Sequence, residues 1–287
     1  MPDTAWLTDR FEEHRPRLRA VAYRMLGSHA EAEDAVQESW LRVARAGADG
    51  VENVGGWLTT VVARQCLNML RSRTHRREDP LDVHVPDPVV GTGDDPVEQA
   101  MLADAVGLAL QVVLDSLDPA ERLALVLHDM FAVPFDAIAP IVGRSPAATR
   151  QPASRARRRV RDEAPAPERD LARQREVVDA WLAASGHGDF EALVALLDPG
   201  AVLRVDAGPA GVSKLVRGAA EIAANALLFG RAAPTARPML VNGTVGLVSA
   251  TATAVTSVMS FTIVDGRIQR LDILADPDRL AALGLQR

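Results

Sequence analysis

The sequence has one cysteine, one lysine and one tyrosine among its 287 residues, and aromatic side chains make up only 4% of it. The single thiol, Cys66, excludes an internal disulfide and a zinc site built from several cysteines. No run of about eighteen uninterrupted apolar residues is present, so we expect no membrane-spanning helix. The N-terminus, MPDTAWLTDRFEEHRPRL, is too polar for a secretory signal, and we therefore expect a cytoplasmic protein.

The net charge of −6 conceals an uneven distribution of basic residues. Residues 1–161 contain 20 of them, with 4 in RSRTHRR (71–77) and 7 in 144–161. The stretch Gly143–Arg161 contains no acidic residue at all. Two positive patches on an acidic protein predict two separate contacts with a polyanion, although two solvated helix ends would give the same pattern.

Apolar residues in 1–78 recur at helical spacing. In GWLTTVVARQCLNMLRSR (56–73), Leu58, Val62 and Cys66 fall on one stripe, which makes Cys66 a buried core residue rather than a reactive thiol. The opposite face is cationic and hydrogen-bonding, and it covers about a quarter of the helix circumference. Such a face suits phosphates and bases; its residues are Thr60, Arg64, Asn68 and Arg71.

Residues 79–95, DPLDVHVPDPVVGTGDD, are rich in proline, glycine and aspartate and are predicted to form a linker. Residues 96–161 are predicted to be helical and to end in two short helices joined by the turn GRS, the second helix being basic. This pattern is typical of a helix-turn-helix. Ser145 and Pro146 form a favourable N-cap and first turn. The second helix should expose one arc suited to a DNA major groove: Arg150, Gln151, Ser154, Arg155 and Arg158.

Beyond a second predicted linker at 162–170, residues 171–287 change to helices followed by strands rich in β-branched residues. The pairs Asn242-Gly243 and Asp265-Gly266 mark tight turns between strands. This order predicts an α+β domain with a curved, antiparallel sheet wrapped around helices. The expected fold class is therefore multidomain, with two all-α domains followed by an α+β cone.

Three segments carry a resemblance to a known family: EAEDAVQESWLRV (31–43), GWLTTVVARQCLNMLRSRTHRR, and LDPAERLALVLHDMFAVPFDAIAPIVGRSPAATRQPASRARRRV. Over roughly residues 8–161 the chain resembles a bacterial extracytoplasmic-function (ECF) sigma factor of the sigma-70 family. The resemblance implies sigma region 2 over 1–78 and region 4 over 96–161. It also implies core RNA polymerase and promoter DNA as partners, and neither a cofactor nor a metal.

The resemblance assigns roles to three surfaces. Region 2 would dock on the clamp helices of the β′ subunit through Asp34, Gln37, Glu38 and Trp40, and region 4 would contact the β flap. The minus-10 element would be bound by Trp57, Thr60, Arg64, Asn68, Arg71 and Arg73. For Trp57 the sequence leaves open whether it stacks on DNA or packs in the core. The minus-35 element would be bound by Ser145, Arg150, Gln151, Ser154, Arg155 and Arg158.

Pro152 departs from the family, which usually has a large apolar residue there. Proline removes the hydrogen bond to the carbonyl of Ala148 and clashes with that turn, at a cost of about 3 kcal/mol in a regular helix. We therefore expect the helix to kink or to begin late, with weakened or altered minus-35 binding. The substitution Pro152→Leu is expected to tighten that binding.

The segment 171–287 is similar to the SnoaL-like, nuclear-transport-factor-like domain of one ECF subgroup. That subgroup carries Trp-Leu-Pro in the linker and the motifs Asp-Gly-Gly-Gly-Lys and Asn-Pro-Asp-Lys-Leu. Here VHVPDP lacks the tryptophan. VDAGPAGVSK retains Asp206 and Gly208, with Lys214 as the candidate for the motif's lysine, and DPDRL has aspartate for asparagine and arginine for lysine. The resemblance implies a built-in regulator that packs on region 2 and the linker; its candidate residues are Asp206, Lys214, Asp276, Pro277, Asp278 and Arg279.

Two other functions are compatible with parts of the sequence. A SnoaL-like enzyme would need a pocket acid or base, and the candidates are Asp206, His187, Asp272 and Asp276. His187 is more typical of a surface loop, and Asp276 before Pro277 is typical of an N-cap. No acid–base pair stands out, so we expect no catalytic reaction. A ligand-sensing repressor would have no use for a polymerase-docking helix; whether the C-terminal domain binds a small molecule stays open.

Overall fold

A computed structural model describes residues 4–48, 50–76, 83–91, 107–163, 167–230 and 236–285. The chain forms two compact units, one made of residues 1–79 and 113–163, the other of 80–112 and 164–287. Residues 80–95 of the first predicted linker, and residues 96–112 of predicted region 4, are thus grouped with the C-terminal segment. Residues 79–82 and 92–95 of the first predicted linker, and 164–166 of the second, lie outside the described residues.

The first unit is helical. It contains α1 (Thr4–Leu26), α2 (His29–Ala46), α3 (Val54–Arg76), the end of α4 (Leu108–Asp115), α5 (Pro119–Leu125), a π-helical turn (Val126–Met130), α6 (Phe135–Val142) and α7 (Pro146–Glu163). Helix starts follow capping chemistry: Ser28 accepts a hydrogen bond from the amide of Glu31, and Asp118 from that of Ala120. Helices α1, α2 and α3 pack on one another, and α7 packs on α5 and α6.

The predicted apolar stripes form the core of the first unit. Leu18 and Met25 on α1, Val36 on α2, and Leu58 and Cys66 on α3 are all buried. Burial of the Cys66 thiol raises its pKa to about 12, because a thiolate would lose its hydration there. This confirms that Cys66 is a core residue.

Helix α7 passes through Pro152 as one helix from Pro146 to Glu163, so the expected late start was wrong. Pro152 is buried on the face that also carries Thr149, Ala153 and Ala156. The N-cap is set by Ser145, whose Oγ accepts a hydrogen bond from the Ala148 amide at 3.2 Å. A strong cap and an apolar face packed on α5 and α6 thus maintain the helix despite the missing hydrogen bond.

The second unit is the predicted α+β domain. Its elements are β1 (Val90–Gly91), the start of α4, α8 (Leu171–His187), α9 (Phe190–Leu196), β2 (Leu197–Asp206), β3 (Lys214–Arg217), α10 (Ala219–Gly230), β4 (Ala236–Val241), β5 (Thr244–Ala250), β6 (Val255–Val264), β7 (Arg267–Leu274) and α11 (Pro277–Ala282). The sheet order is β1-β4-β5-β6-β7-β2-β3. Strands β2 and β7 run parallel and the other pairs antiparallel.

Two tight turns join the long strands where the sequence predicted them. Asn242 has φ of 50° and Gly243 has φ of 78°, while Asp265 has 49° and Gly266 has 75°. Positive φ at both central residues is the hairpin geometry that Asn-Gly and Asp-Gly pairs favour.

The sheet has an apolar cluster on each face. On one face, residues such as Leu271 and Phe261 pack with Trp181 and Ile222 of the helices. Along the strands, these positions alternate with members of a second cluster, which places the second cluster on the opposite face. That cluster includes Val85 of the first predicted linker, Leu108 at the start of α4 and Leu280 of the last helix.

The predicted linker therefore contributes a strand to the sheet. Val90 pairs with Val241, the Val89 amide donates to Asn242 Oδ1 at 2.9 Å, and the Asn242 amide donates to the Val89 carbonyl at 2.7 Å. No helix among the described residues is long and apolar enough to cross a membrane.

Candidate functional site

The predicted polymerase-docking residues lie on α2. Asp34 and Gln37 are exposed, and Glu38 forms an ion pair with Arg42 at 3.2 Å. Trp40 instead packs partly inward, with its ring centroid 4.9 Å from that of Phe11. Its contribution to an exposed surface is therefore smaller than the sequence suggested.

Leu41 is the exposed apolar residue of this surface, and sequence reasoning missed it. Its side chain is 42% exposed. With Asp34, Gln37 and Glu38 it completes the i, i+3, i+4, i+7 spacing of one helical face. That spacing would have found it; the four residues are called the α2 surface below.

The predicted minus-10 face lies along α3. Arg64, Asn68 and Arg71 are exposed in a row, one helical turn apart, as predicted. Thr60 is half-buried and donates its hydroxyl to the Gly56 carbonyl at 3.0 Å. Trp57 is also half-buried at the start of the helix, so neither of its two interpretations is decided.

Arg73 stands apart from this row. Its guanidinium forms an ion pair with Glu31 of α2 and donates to the Leu26 carbonyl of α1 at 3.2 Å. Arg73 thus joins all three helices of the N-terminal bundle, and its charge is already matched by a carboxylate.

A groove of about 300 Å³ lies between α2 and α3, next to the Arg64/Asn68/Arg71 row. Four polar lining residues were not anticipated as site residues from the sequence: Glu31, Arg42, Gln65 and Ser72. Asn68 is the one residue of the row that also lines the groove. Its amide can donate and accept hydrogen bonds at the groove edge.

The predicted minus-35 arc is present on α7. Arg150, Gln151, Ser154, Arg155 and Arg158 are all exposed, while Pro152 and Ala156 on the opposite side are buried. Arg157, outside the predicted set, makes two hydrogen bonds to Asp129 at 2.7 Å, and this pairing raises its pKa against a smaller opposing effect of burial. That contact joins α7 to the π-helical turn. The guanidinium of Arg157 is therefore already bound by a carboxylate, whereas no carboxylate among the described residues binds the side chains proposed for the exposed arc.

In the second unit the three divergent subgroup motifs meet at one side chain. Arg279 donates to Asp87 at 2.6 Å, to Asp206 at 2.8 Å and to the Val85 carbonyl at 2.6 Å. Asp206 in turn accepts from the Val85 amide at 3.0 Å and lies 3.2 Å from His84 Nδ1. These five residues, His84, Val85, Asp87, Asp206 and Arg279, are called the linker clamp.

The clamp keeps Asp206 ionised although the carboxyl group is largely buried. Burial opposes its ionisation. Hydrogen bonds from His84 and from the amides of Val85 and Gly208, together with the charge of Arg279, outweigh burial and hold the pKa of Asp206 well below its usual range. The clamp is thus a charged, hydrogen-bonded contact inside a mostly apolar surface.

The other predicted regulatory residues have local roles. Asp276 caps α11 by accepting from the amides of Asp278 and Arg279 at 2.9 and 3.2 Å, which confirms the N-cap interpretation. Gly208 has φ of 68°, and a Cβ there would lie 2.1 Å from Asp276 Oδ2, so the two motifs require glycine at this position. Pro277 and Asp278 are exposed in the first turn.

Lys214 was predicted to be a regulatory residue in the same motif as Asp206. Its Nζ donates to Asn225 Oδ1 of α10 at 2.7 Å, whereas the carboxylate of Asp206 is bound by Arg279 and the Val85 amide. The structure therefore gives Lys214 a separate contact.

The acid–base candidates are likewise explained by local structure. His187 is exposed at the end of α8. Asp272 is buried and pairs with Arg204 at 2.9 Å; burial raises the pKa of Asp272, and the arginine opposes that rise. Within the described ranges, no group of three or more His, Cys, Asp or Glu residues is arranged to hold a metal ion.

Together these features define a helix-turn-helix protein with a second cationic helix face and a C-terminal α+β domain. Residues 10–76 match the family model for sigma-70 region 2. The chain is 34% identical over 274 residues to the probable ECF RNA polymerase sigma factor SigI of Mycobacterium tuberculosis, covering 94% of this chain and 93% of that protein. It is 37% identical over 298 residues to SigJ of the same organism, covering 96% and 94%.

The crystal structure of Mycobacterium tuberculosis SigJ matches with a TM-score of 0.76 at 34% identity, covering 97% of this chain and 100% of that one. The chain therefore belongs to the ECF RNA polymerase sigma factors. The resemblance found in the sequence is confirmed over nearly the whole chain, including the C-terminal domain.

Proposed function

We propose that this chain is an alternative sigma factor that binds core RNA polymerase and directs it to specific promoters, under the control of its own C-terminal domain. The observation that carries the proposal is the exposure of three predicted binding faces, on α2, α3 and α7, in a chain that belongs to this family. The protein would act in the cytoplasm, without a reaction of its own.

The α2 surface would dock on the clamp helices of β′, with region 4 meeting the β flap. Carboxylates around an exposed leucine suit a basic partner, because complementary charge speeds association while apolar burial slows dissociation. Leu41 would be the buried anchor of that contact, with Asp34 and Glu38 at its rim.

The α3 row would bind the melted minus-10 element. Arg64 and Arg71 would hold phosphates of the separated strand, and Asn68, at the edge of the groove, would hydrogen-bond an unstacked base. Arg73 would position α3 against α1 and α2 rather than contact DNA.

The α7 arc would bind the minus-35 element in the major groove. Arginine and glutamine side chains can read base edges there, while neighbouring arginines neutralise phosphates. Because Arg157 is held by Asp129, we assign readout to Arg150, Gln151, Ser154, Arg155 and Arg158.

The docking role is tested by comparing two equally exposed leucines, Leu41 at 42% and Leu171 at 44%. Leu41→Asp and Leu171→Asp would be made in the full chain, and their affinities for core polymerase measured by fluorescence anisotropy. We expect Leu41→Asp to weaken binding by about tenfold or more, as an interface anchor does, and Leu171→Asp to leave it unchanged. Equal effects, or no binding by the wild type, would overturn the assignment.

A further inference from the structure

The π-helical turn (Val126–Met130) places two consecutive residues against different partners in the helix-turn-helix. Asp129 binds Arg157 of α7. The imidazole of His128 instead stacks on the ring of Phe135 at the start of α6, with 3.9 Å between the ring centroids and 27° between the ring planes. Turns of this kind are frequent at functional sites, and this one leads through Phe135 to the α7 arc.

The backbone around the turn fixes this pair of rings. His128 Nδ1 lies 3.0 Å from the Val133 carbonyl, and because a carbonyl only accepts, that nitrogen carries the proton and the ring plane is set. The amide of Val133 in turn donates to the Leu127 carbonyl at 2.9 Å. Both rings are half-buried. Phe135 therefore presents a ring of defined orientation to its neighbours.

The guanidinium of Arg150, on the α7 arc, lies over the ring of Phe135, 5.8 Å from the ring centroid. This distance is within the range of a cation–π interaction. An arginine held by the face of its guanidinium keeps its N–H donors free, since those donors point outward in the plane of the group. Arg150 is exposed, and no carboxylate in the described part of the chain binds it. Its donors are therefore available to a ligand while its orientation is restricted.

Arg150 differs in this respect from the other two arginines of the arc. Arg155 and Arg158 are exposed, and within the described ranges neither of them lies over an aromatic ring. An arginine that is already held loses less side-chain freedom on binding than one that is not. Binding of a phosphate needs only a nearby positive charge, whereas reading a base edge needs two donors in a fixed geometry. Arg150 is thus suited to base readout, and the other two arginines to phosphates.

We propose that Phe135 is a positioning residue for promoter recognition, because it holds Arg150 so that the guanidinium reads one guanine of the minus-35 element. The proposal rests on the proposed function of the α7 arc. Arginine donates two parallel hydrogen bonds to O6 and N7 of guanine in the major groove, and this pair of acceptors distinguishes guanine from the other bases. Phe135 acts through Arg150, and the stacked ring of His128 supports Phe135.

The expected consequence is a base preference at one position of the DNA. Arg150→Ala should abolish the guanine preference there, a loss of about fivefold or more, since a good bidentate pair discriminates by at least that factor. Phe135→Leu should reduce the same preference by about two- to fivefold, the size of an exposed cation–π interaction. Phe135→Tyr should preserve it, because tyrosine also offers a ring face. Phe190→Leu, at a phenylalanine of α9 that is 41% exposed, is the matched control.

The test selects DNA duplexes that contain ten randomised base pairs, using the full chain bound to core RNA polymerase. Core polymerase alone gives the background. Sequencing of the bound duplexes gives the base preference at every position for the wild type and for each of the four variants. A ratio of affinities for two duplexes does not depend on the fraction of folded protein, so a variant with lowered stability still reports on readout.

We expect the wild type, Phe135→Tyr and Phe190→Leu to select one motif with a preferred guanine, which is weakened in Phe135→Leu and lost in Arg150→Ala. A guanine preference unchanged by Arg150→Ala would overturn the assignment of Arg150. An equal loss of affinity for every duplex in Phe135→Leu, at unchanged base preference, would give Phe135 only a structural role and overturn the proposal. If the wild type selects no motif above the background of core polymerase, the proposed function fails as well.

Discussion

The guanidinium of Arg279, in the last helix, lies 2.8 Å from the carboxylate of Asp206 at the end of β2. The same guanidinium reaches Asp87, so one side chain joins the linker, the sheet and the C-terminal helix. The subgroup pattern has lysine at this position. A planar guanidinium with five donors can bind two carboxylates and a carbonyl at once, which a lysine ammonium does with less geometric definition. The arginine is therefore suited to the aspartates present here.

Replacing Arg279 should release the linker before it affects the core of the second unit. Arg279→Lys keeps the charge but loses the planar guanidinium with its several N–H donors. We therefore expect faster hydrogen exchange in peptides covering residues 83–91. Arg279→Ala should increase the exchange rate further. Arg217→Ala is the matched control and should leave these peptides unchanged. Unaltered protection in Arg279→Ala would show that strand β1 and the apolar cluster hold the linker without the clamp.

The α3 arginines should separate into DNA-binding and structural residues. Arg64→Ala and Arg71→Ala should weaken binding of single-stranded minus-10 DNA. In a plot of log binding constant against log salt concentration, each substitution should make the slope shallower by about 0.7, the value for one phosphate contact on a single strand. Arg73→Ala should instead lower Tm, because it removes the partner of Glu31.

These α3 variants would be compared with Arg10→Ala, an exposed arginine on α1. If Arg73→Ala makes the salt dependence of DNA binding shallower and leaves Tm unchanged, Arg73 contacts DNA like Arg64 and Arg71. A slope unchanged in Arg64→Ala would mean that Arg64 does not contact DNA.

Pro152→Leu is still expected to tighten binding of minus-35 duplex DNA. The continuous helix α7 gives the reason for this expectation. The substitution restores a hydrogen bond to the Ala148 carbonyl in a helix whose binding face is already formed. Affinity and Tm should therefore rise together. Pro140→Ala, in α6, should leave DNA affinity unchanged. An unchanged or lower affinity in Pro152→Leu would refute the prediction.

Cys66 should be unreactive in the folded protein. Burial raises its pKa to about 12, and the thiolate is the reactive form, so an aromatic disulfide reagent at pH 8 should detect almost no thiol under native conditions. In guanidinium chloride it should detect one per chain. Rapid native reaction would mean that α3 opens readily in solution.

The sequence predicted the parts of the molecule that depend on local periodicity and capping. The α7 arc, the α3 row, the Asp276 cap and the two tight turns follow from spacing or from residue type within a few positions. The linker clamp could not be found in this way, because Asp87, Asp206 and Arg279 are distant in sequence and their pairing depends on the sheet.

Proline-rich composition also misled the prediction for residues 79–95. Residues 83–91, the part of this stretch that the structure describes, form no helix. The composition gave no sign of the two-residue strand or of the burial of Val85. An apolar segment this short has too few residues to show a strand or helix period. The ion pair of Arg73 could not be predicted either, because a helical wheel does not show that a carboxylate on another helix binds this side chain.

The most direct test of the account is transcription by core RNA polymerase on a genomic promoter library, with the full chain and with its Arg279→Ala variant. The full chain is required because a cut near Glu163 would remove the sheet that residues 83–91 pack on. We predict discrete start sites, absent with core polymerase alone, downstream of one shared two-element motif, and a change in signal strength with Arg279→Ala. If neither form gives start sites above those of core polymerase, the chain is not acting as a sigma factor.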